Sequence, residues 1–462
     1  TLDYPSYIPF MKYANSRVLR KKLAIAFGAR GYQENTRNNE KIVLEITSLR
    51  ADRAQLLGYK SHADFILEER MAGAPLKVTT FLNELLEKAK PVALKEFKEL
   101  ENFAKKLDNI DRLEKWDSAY YSEKLKTKLF NLDDEKLKPY FKLENVIDGA
   151  FKVAKKLFGL NFKQVKNIDT YHEDVKTYNV TDENNHFTAL FYADFHPRKG
   201  KRNGAWMTSF KGQKIKNNVN HRPHISNVCN FTKPTDTKPS LLTFSEVTTL
   251  FHEFGHALHG MLANTKYPSL SGTNVYWDFV ELPSQILENW CFEKECLDLF
   301  AKHYKTNETI PMEYVEKIKA SANFQEGMAT VRQLSFGLLD IAWHANENPK
   351  NITDVKTFEN SVFKDTSLFP DVKENCMSVA FSHIFQGGYS SGYYSYKWAE
   401  VLDADAFKAF QEKGIFNPEI GKSFADNILS KGGTEHPMIL YKKFRGAAPK
   451  PEALLERAGL LS

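Results

Sequence analysis

The chain shows two hydrophobic periods, and the helical one covers most of its length. In the first part, residues 1–170, apolar side chains recur every three or four positions, which is typical of amphipathic helices. The two predicted apolar faces consist of Ile42, Ile46, Leu49 and Leu56, and of Leu94, Phe97, Leu100 and Leu107. Pro91 precedes the second face and predicts a helix start there, because proline is favoured in a first helical turn.

The middle of the chain has a period of two, which predicts strands. Apolar residues occupy every second position from Phe187 to Phe195. The polar turn at 182–185 separates this run from 175–180, so we expect the two runs to form a hairpin. Shorter strand candidates are 205–210 and 227–231. We therefore expect a small β element within residues 171–232.

Helical spacing returns at Thr243 and continues to the end of the chain. Thr243 and Glu246 have the spacing of a capping box, which predicts a helix N-terminus. The apolar stripe that follows consists of Val247, Leu250, Phe251, Phe254, Leu258 and Leu262. We expect a largely buried helix over 243–262 and helices throughout 243–462. The predicted fold is mostly α, with a small β-sheet element beside this helix.

The helix predicted at 243–262 carries two histidines and a glutamate in a spacing that suits a metal. His252 and His256 are four residues apart, so their imidazoles leave one side of a helix and can reach one ion. Glu253 projects about 100° from His252. That is poor geometry for a ligand, but it suits contact with a water molecule at the metal. This arrangement is typical of zinc peptidases, although a histidine pair also occurs on solvated helix surfaces.

A catalytic zinc site typically has three protein ligands, and the sequence offers two candidates for the third. His259 lies three residues beyond the second histidine, where it would strain a tetrahedral site, so we expect it behind the ligands or in the core. Glu281 is the stronger candidate and begins a polar series that includes Glu288. Pro283 predicts a helix start near Glu281. The alternative is that Asp278 and Glu281 only cap that helix.

The residues around these candidates resemble the thimet oligopeptidase family of zinc peptidases. The resemblance is carried by the segments 251–259 (FHEFGHALH) and 278–285 (DFVELPSQ), and it extends from about Phe10 to Leu460. It implies a zincin-like catalytic domain over residues 1–462. The chain begins at Thr1 without a methionine, and the resemblance implies a further helical region before that point. We therefore interpret the sequence as a C-terminal catalytic fragment.

The resemblance also implies a ligand set and a cofactor. His252, His256 and Glu281 would bind one Zn²⁺ per chain, so that Glu281 is a ligand rather than a cap. Glu253 would act as the general base. The enzyme would then be a zinc metallopeptidase whose partners are short, unstructured peptides.

Two modes of peptide cleavage, release of C-terminal dipeptides and cleavage at internal bonds, are compatible with this chemistry. The segment 271–274 (SGTN) is most similar to the peptidyl-dipeptidase branch of the family, which implies release of C-terminal dipeptides. Such an enzyme needs a group that binds the substrate carboxylate, and the candidates are Arg198, Lys199, Arg202 and Arg445. The alternatives are an endo-acting oligopeptidase and a non-catalytic peptide-binding protein that has kept the fold.

A second group of candidate residues lies downstream at 381–398 (FSHIFQGGYSSGYYSYKW). By spacing alone, the series Tyr389, Tyr393 and Tyr396 is typical of a packed core. The resemblance instead implies that His383, Tyr389 and Tyr396 face the metal and donate hydrogen bonds to the substrate and the oxyanion. Tyr393 is expected to contact the substrate or to serve packing.

Composition argues against several other classes of protein. The 64 basic and 58 acidic residues are interspersed and give a formal charge of +6, without a basic block that would indicate nucleic-acid binding. No apolar run reaches the length of a membrane span. The four cysteines lack zinc-knuckle spacing and fit a reducing compartment. We therefore expect a cytoplasmic protein that contacts neither nucleic acid nor membrane. We also expect it to be a monomer.

Overall fold

The computed structural model describes residues 2, 4–130, 134–202 and 204–461. The chain forms two compact units whose segments alternate along the sequence. The first unit contains residues 1–131, 321–397 and 455–462, and the second contains residues 132–320 and 398–454.

Helices dominate the described chain and confirm the predicted mostly-α fold. They are α1 (Tyr4–Tyr13), α2 (Arg17–Gly28), α3 (Glu40–Leu56), α4 (His62–Leu67), α5 (Pro75–Asp108), α6 (Ser118–Phe130), α7 (Asp134–Leu137), α8 (Leu143–Phe158), α9 (Phe244–Met261), α10 (Leu282–Glu288), α11 (Lys294–Phe300), α12 (Met312–Ala322), α13 (Glu326–His344), α14 (Val355–Phe363), α15 (Ser382–Phe385), α16 (Ser395–Lys413), α17 (Pro418–Phe424), α18 (Pro437–Arg445) and α19 (Glu452–Arg457). Short 3-10 turns cover Lys138–Tyr140, Pro268–Leu270, Asn289–Phe292, Pro349–Asn351 and Ser378–Ala380, and a π-helical turn covers Ala425–Leu429. None of the helices in the described ranges is long and apolar enough to cross a bilayer.

Helix α3 in the first unit presents its predicted apolar face to solvent. Ile42, Leu49 and Leu56 are exposed, and only Ile46 is half-buried. The buried side consists of Val43, Thr47, Ala51 and Ala54. Small side chains on that side allow close packing against neighbouring elements, so the stripe of larger residues is not the buried face. The predicted orientation of this helix is wrong.

Helix α5 continues through Pro91, where the sequence predicted a helix start. The helix begins instead at Pro75, which occupies the favoured first-turn position. In the first unit α13 approaches α5 so closely that a Cβ atom added to Gly327 would lie 2.7 Å from the backbone nitrogen of Ala93. This packing stabilises α5 around the proline and outweighs the local preference for a break.

The small sheet lies in the second unit and has the strand order β1-β2-β3-β7-β4. Its strands are β1 (Asn161–Val165), β2 (Lys176–Thr181), β3 (Phe187–Asp194), β4 (Trp206–Lys211) and β7 (His224–Val228), while β5 (Lys214–Lys216) pairs with β6 (Val219–His221). The predicted hairpin is confirmed, because β2 and β3 are antiparallel with Tyr178 opposite Phe191. The sheet begins earlier than the predicted residue 171, since β1 starts at Asn161. Strand β4 is an edge of the sheet and pairs antiparallel with β7.

Helix α9 packs against this sheet and has the predicted N-terminus. Thr243 Oγ1 accepts a hydrogen bond from the Glu246 amide at 3.2 Å, and the Glu246 carboxylate accepts one from the Thr243 amide at 2.8 Å. This reciprocal pair confirms the capping box. The buried ring of Phe254 lies 5.8 Å from that of Phe191 on β3, measured between centroids. The core contact fixes the rotation of α9 and therefore the side from which its histidines project.

Candidate metal centre

The two histidines of α9 and the glutamate before α10 converge on one point. His252 Nε2 lies 3.3 Å and His256 Nε2 lies 3.2 Å from Glu281 Oε2. Tetrahedral zinc with bonds of 2.0–2.1 Å requires ligand atoms about 3.3 Å apart, so the observed separations match a shared ion. Among the described residues, these three form the one His, Cys, Asp and Glu cluster whose ligand atoms all lie within 4.8 Å.

Glu281 does not act as a conventional cap for α10. It stands at the N-cap position, but its side chain makes no cap hydrogen bond to the backbone. Its Oε2 atom instead accepts a hydrogen bond from Ser284 Oγ at 2.8 Å and lies between the two imidazoles. These contacts favour the ligand interpretation of Glu281 over the capping one.

Gly255, between the two histidines, allows α10 to approach α9. A Cβ atom at position 255 would lie 2.2 Å from the carbonyl oxygen of Pro283 and 2.6 Å from Ser284 Cα. Both are backbone atoms, so no side-chain rotation could relieve the overlap. The absence of a side chain at this position therefore sets the distance between the two helices that carry the three candidate ligands.

We expect Gly255→Ala to destabilise the protein and to weaken metal binding. Overpacking costs about 1–3 kcal/mol of unfolding free energy, whereas alanine would otherwise stabilise a helix interior by roughly 0.5–1 kcal/mol relative to glycine. Gly260→Ala on the same helix is the control, since its Cβ would meet the flexible end of Ile225 at 2.7 Å. Denaturant unfolding should show a larger loss of unfolding free energy for Gly255→Ala than for Gly260→Ala. Zinc titration should likewise show a larger loss of zinc affinity. Equal behaviour of the two variants would contradict the spacer role of Gly255.

The electrostatics of the cluster favour a cation. Burial by itself would lower the pKa of His252. Hydrogen bonds to Glu281 and Glu288 outweigh this effect, and the net result is a pKa raised to about 10. Burial likewise opposes ionisation of Glu281, yet hydrogen bonds to His252 and His256 outweigh it and hold its pKa well below the usual range. A field that stabilises positive charge at this point also stabilises a divalent ion. The nitrogen and oxygen donor set suits zinc, so the residues fit the implied metal.

Glu288, a member of the polar series that begins at Glu281, contacts one of the candidate ligands. Its Oε1 atom lies 2.7 Å from Nδ1 of His252. A carboxylate only accepts, so His252 donates from Nδ1 to Glu288, and Nε2, which faces Glu281, is the ring nitrogen that can bind a metal in place of a proton. The signal for Glu288 in the sequence was its distance of seven residues from Glu281. Seven residues are two helical turns, which places both side chains on one side of α10. Such an outer partner orients a histidine ligand and raises its basicity.

Glu288→Gln is expected to reduce zinc affinity by roughly 10- to 100-fold without abolishing the site. Glutamine keeps the length of the side chain but loses the charge that supports the imidazole. Competition against a chelator of known affinity measures this change. The matched control is Glu293→Gln, since Glu293 pairs with Lys319 on the surface. An affinity unchanged from wild type would contradict the role of Glu288.

Glu253 is buried beside this cluster without a hydrogen-bond partner for one of its oxygens. It is 6 % exposed, and its Oε2 atom has no partner within the described part of the chain. Burial raises the pKa of its carboxyl group above the usual value. A carboxylate with a raised pKa and a free acceptor atom is suited to take up and release a proton.

His259 does not join the three candidate ligands. Its side chain is fully buried, and burial lowers its pKa to about 3. Neither ring nitrogen has a hydrogen-bond partner among the residues described. The observed position agrees with the expectation that His259 lies in the core or behind the ligands.

The downstream candidates lie in the first unit, where the structure brings them together. The ring centroids of His383 and Tyr389 are 5.8 Å apart, and the rings of Tyr389 and Tyr396 stack at 5.2 Å. His383 is exposed and the two tyrosines are half-buried. Tyr393 is buried and donates to Gln333 Oε1 at 3.3 Å, which favours a packing role for it.

Comparisons with known proteins give the same family as the sequence motifs. The profile of peptidase family M3 matches residues 10–460. Oligopeptidase A of Escherichia coli strain K12 is 43% identical over 466 residues, covering 100% of this chain and 68% of its own. Dipeptidyl carboxypeptidase of the same strain is 37% identical over 454 residues, covering 98% and 66%. The identity is therefore higher to oligopeptidase A, whereas the segment 271–274 had favoured the peptidyl-dipeptidase branch.

Solved structures support the same fold. PZ peptidase A with inhibitor 2 superposes with a TM-score of 0.61 at 17% identity, covering 98% of this chain and 69% of its own. A Pyrococcus furiosus carboxypeptidase gives a TM-score of 0.55 at 16% identity, covering 99% and 80%. The sequence profile, the relatives and the converging His252, His256 and Glu281 lead to one conclusion: the chain belongs to peptidase family M3 and is a metallopeptidase.

Proposed function

We propose that this protein binds one zinc ion through His252, His256 and Glu281 and cleaves short, unfolded peptides at internal bonds. The observation that carries the proposal is the convergence of these three ligand atoms at distances suited to one tetrahedral ion. A bound zinc ion supplies Lewis acidity that activates water and polarises the scissile carbonyl. Two neutral imidazoles and one carboxylate leave the site with a formal charge of +1.

Side chains of the protein carry out proton transfer and stabilise the oxyanion. Glu253 takes the proton of the attacking water and then delivers it to the leaving amine. His383, Tyr389 and Tyr396 donate hydrogen bonds to the substrate and to the developing oxyanion. The proximity of their rings and the exposure of His383 support this shared role.

Strand β4 is suited to hold an extended peptide. It is an edge strand, paired with β7 on one side, and residues 209–211 are exposed. In the second unit it lies close to α9, since a Cβ atom on Gly260 would be 3.5 Å from Met207 Cε. An extended peptide can add to such an edge through backbone hydrogen bonds. We propose that substrates bind in this way.

Two observations favour internal cleavage over dipeptide release. Among the relatives compared, identity is higher to oligopeptidase A than to dipeptidyl carboxypeptidase. In addition, two candidate carboxylate-binding cations already have anionic partners. Arg198 forms a bidentate pair with Asp194 at 2.7 and 2.9 Å, and Arg445 lies 3.3 Å from Asp405. Release of C-terminal dipeptides is the second candidate function, favoured by the segment 271–274.

A cleavage map distinguishes the two candidates. One unstructured peptide is prepared with a free and with an amidated C-terminus, and both are incubated with zinc, with a chelator sample as control. Internal cleavage predicts the same products from both forms by mass spectrometry. Loss of a dipeptide from the free form alone would replace our proposal by the second candidate. Absence of zinc-dependent products from both forms would contradict peptide hydrolysis altogether.

A further inference from the structure

The segment 383–396 of the first unit is held by a largely buried polar network that is separate from the proposed ligands and hydrogen-bond donors. The segment carries His383, Tyr389 and Tyr396, so the inference below rests on the proposed function. Three anchors of the network are Arg50 on α3, and Asp340 and His344 on α13.

Asp340 binds the second half of the segment through its backbone. The side chain is fully buried, and its two oxygens accept hydrogen bonds from the amides of Ser391 at 2.8 Å and Tyr393 at 2.9 Å. Ser391 has a φ angle of +58°, a left-handed conformation that costs energy in residues other than glycine. The carboxylate thus stabilises a backbone shape that residue 391 would not adopt by itself.

His344 and Arg50 extend the network to the first half of the segment. His344 Nδ1 lies 2.8 Å from Asp340 Oδ1, and its Nε2 lies 2.7 Å from Arg50 Nη1. Because the carboxylate only accepts and the guanidinium only donates, His344 carries its proton on Nδ1 and accepts at Nε2. Arg50 also donates to the carbonyl oxygens of Ile384 at 2.7 Å and Phe385 at 3.3 Å.

His62 on α4 is a fourth anchor of the segment. Its Nε2 lies 3.0 Å from Ser390 Oγ, and its Nδ1 lies 3.3 Å from Arg53 Nη2. Arginine only donates, so Nδ1 accepts and Nε2 donates to the serine. Burial, together with His344, Arg50 and Arg53, lowers the pKa of His62 to about 2, which keeps the ring in this neutral form.

The anchors bracket the part of the segment with the greatest backbone freedom. They bind residues 384–385 on one side and 390–393 on the other, and Gly387 and Gly388 lie between them. The backbone hydrogen bonds given for the intervening residues are local. The Gly387 amide, for example, donates to the Ser382 carbonyl oxygen at 2.7 Å. The position of Tyr389 relative to His383 and Tyr396 therefore depends on how both ends are held.

We propose that Asp340, His344 and Arg50 are positioning residues for peptide hydrolysis, and that they fix the segment 383–396 so that His383, Tyr389 and Tyr396 present their donors together. Apolar residues could fill the same volume, but only fixed donors and acceptors select particular backbone amides and carbonyls. The network acts through the three donors and does not contact the substrate.

Asp340→Asn tests the proposal, with Arg50→Lys as a milder variant. Asparagine replaces one acceptor by an NH₂ group that opposes a backbone amide, and lysine cannot reach His344 and two carbonyls at once. We expect amide hydrogen exchange in 384–396 to accelerate in both variants. We also expect kcat of Asp340→Asn to fall on the order of 100-fold at full zinc content, with a much smaller change in KM.

Asp117→Asn is the matched control in the same unit. Asp117 is equally buried and pairs with Arg17 at 2.7 Å and Arg20 at 3.1 Å, so it carries a similar network without touching the segment. It should lower stability while kcat and exchange in 384–396 stay at wild-type values. If Asp340→Asn does not fold, Arg50→Lys provides the same comparison.

The outcomes separate this inference from the proposed function. Faster exchange in 384–396 with reduced kcat supports the positioning role. Unchanged exchange, or faster exchange with wild-type kcat, overturns it while leaving peptide hydrolysis intact. If the wild-type protein shows no zinc-dependent turnover, the proposed function fails first and the positioning role fails with it, whatever the exchange data show.

Discussion

Replacing Glu253 by glutamine is expected to reduce kcat by roughly 10²- to 10⁴-fold while leaving the zinc content unchanged. Glutamine has nearly the same shape, so the buried site should keep its packing. It cannot accept the proton of the attacking water, however, and it cannot return a proton to the leaving amine. Because Glu253 is not one of the three converging ligands, its loss should not release the metal.

The measurement pairs peptide turnover with zinc content by elemental analysis. Glu246→Gln is the control, because it makes the same substitution about two turns earlier on the same helix, α9. Glutamine also serves in a capping box, so this variant should keep both activity and stability close to wild type. If Glu253→Gln bound zinc and turned over substrate at the wild-type rate, the general-base role would be refuted.

Replacing Glu281 by glutamine is expected to remove both zinc and activity. Loss of an outer partner costs roughly 10- to 100-fold in metal affinity, so loss of a charged direct ligand should exceed about 100-fold. The formal charge of the ligand set would also change, since Glu281 supplies its one negative charge. Restoring activity should require zinc concentrations far above those that saturate the wild-type protein.

Ser284→Ala provides the control for this second prediction. It removes one hydrogen bond to the same carboxylate, at 2.8 Å, but leaves the carboxylate in place. This variant should bind zinc with a stoichiometry of about one per chain, the value that we also predict for the wild type. A Glu281→Gln protein that retained zinc and lost only helix stability would restore the capping interpretation.

The placement of His252 and His256 on one side of a helix could be predicted from the sequence, because it depends only on residues that are close together along the chain. The capping box at Thr243 and the apolar stripe established the helix, and helical geometry then placed both imidazoles on one side. Periodicity and short-range hydrogen bonding are properties of neighbouring residues. They can be read without knowing what packs against the helix.

The proposed third ligand, Glu281, could not be derived in that way. Glu281 lies on a different element, and its distance from the histidines depends on how closely α10 packs on α9. That distance is set by Gly255, whose missing side chain accommodates the Pro283 carbonyl. Spacing left the ligand and cap interpretations open, and the family resemblance favoured the ligand. The role of Glu288 required the same tertiary information.

The two wrong helix predictions share a physical cause. On α3 the larger apolar residues, such as Leu49 and Leu56, are exposed, while small ones, such as Ala51 and Ala54, are buried. On α5 the contact with α13 maintains the helix through Pro91. In both cases close packing decided the outcome, and hydrophobicity or local propensity did not predict it.

The most direct test of the account is an anomalous-scattering measurement at the zinc absorption edge on crystals of the zinc-loaded protein. We predict one zinc peak per chain, at about 2.0–2.2 Å from His252 Nε2, His256 Nε2 and a Glu281 oxygen. A peak bound by other residues, or a fully loaded protein with no zinc between these three side chains, would contradict it.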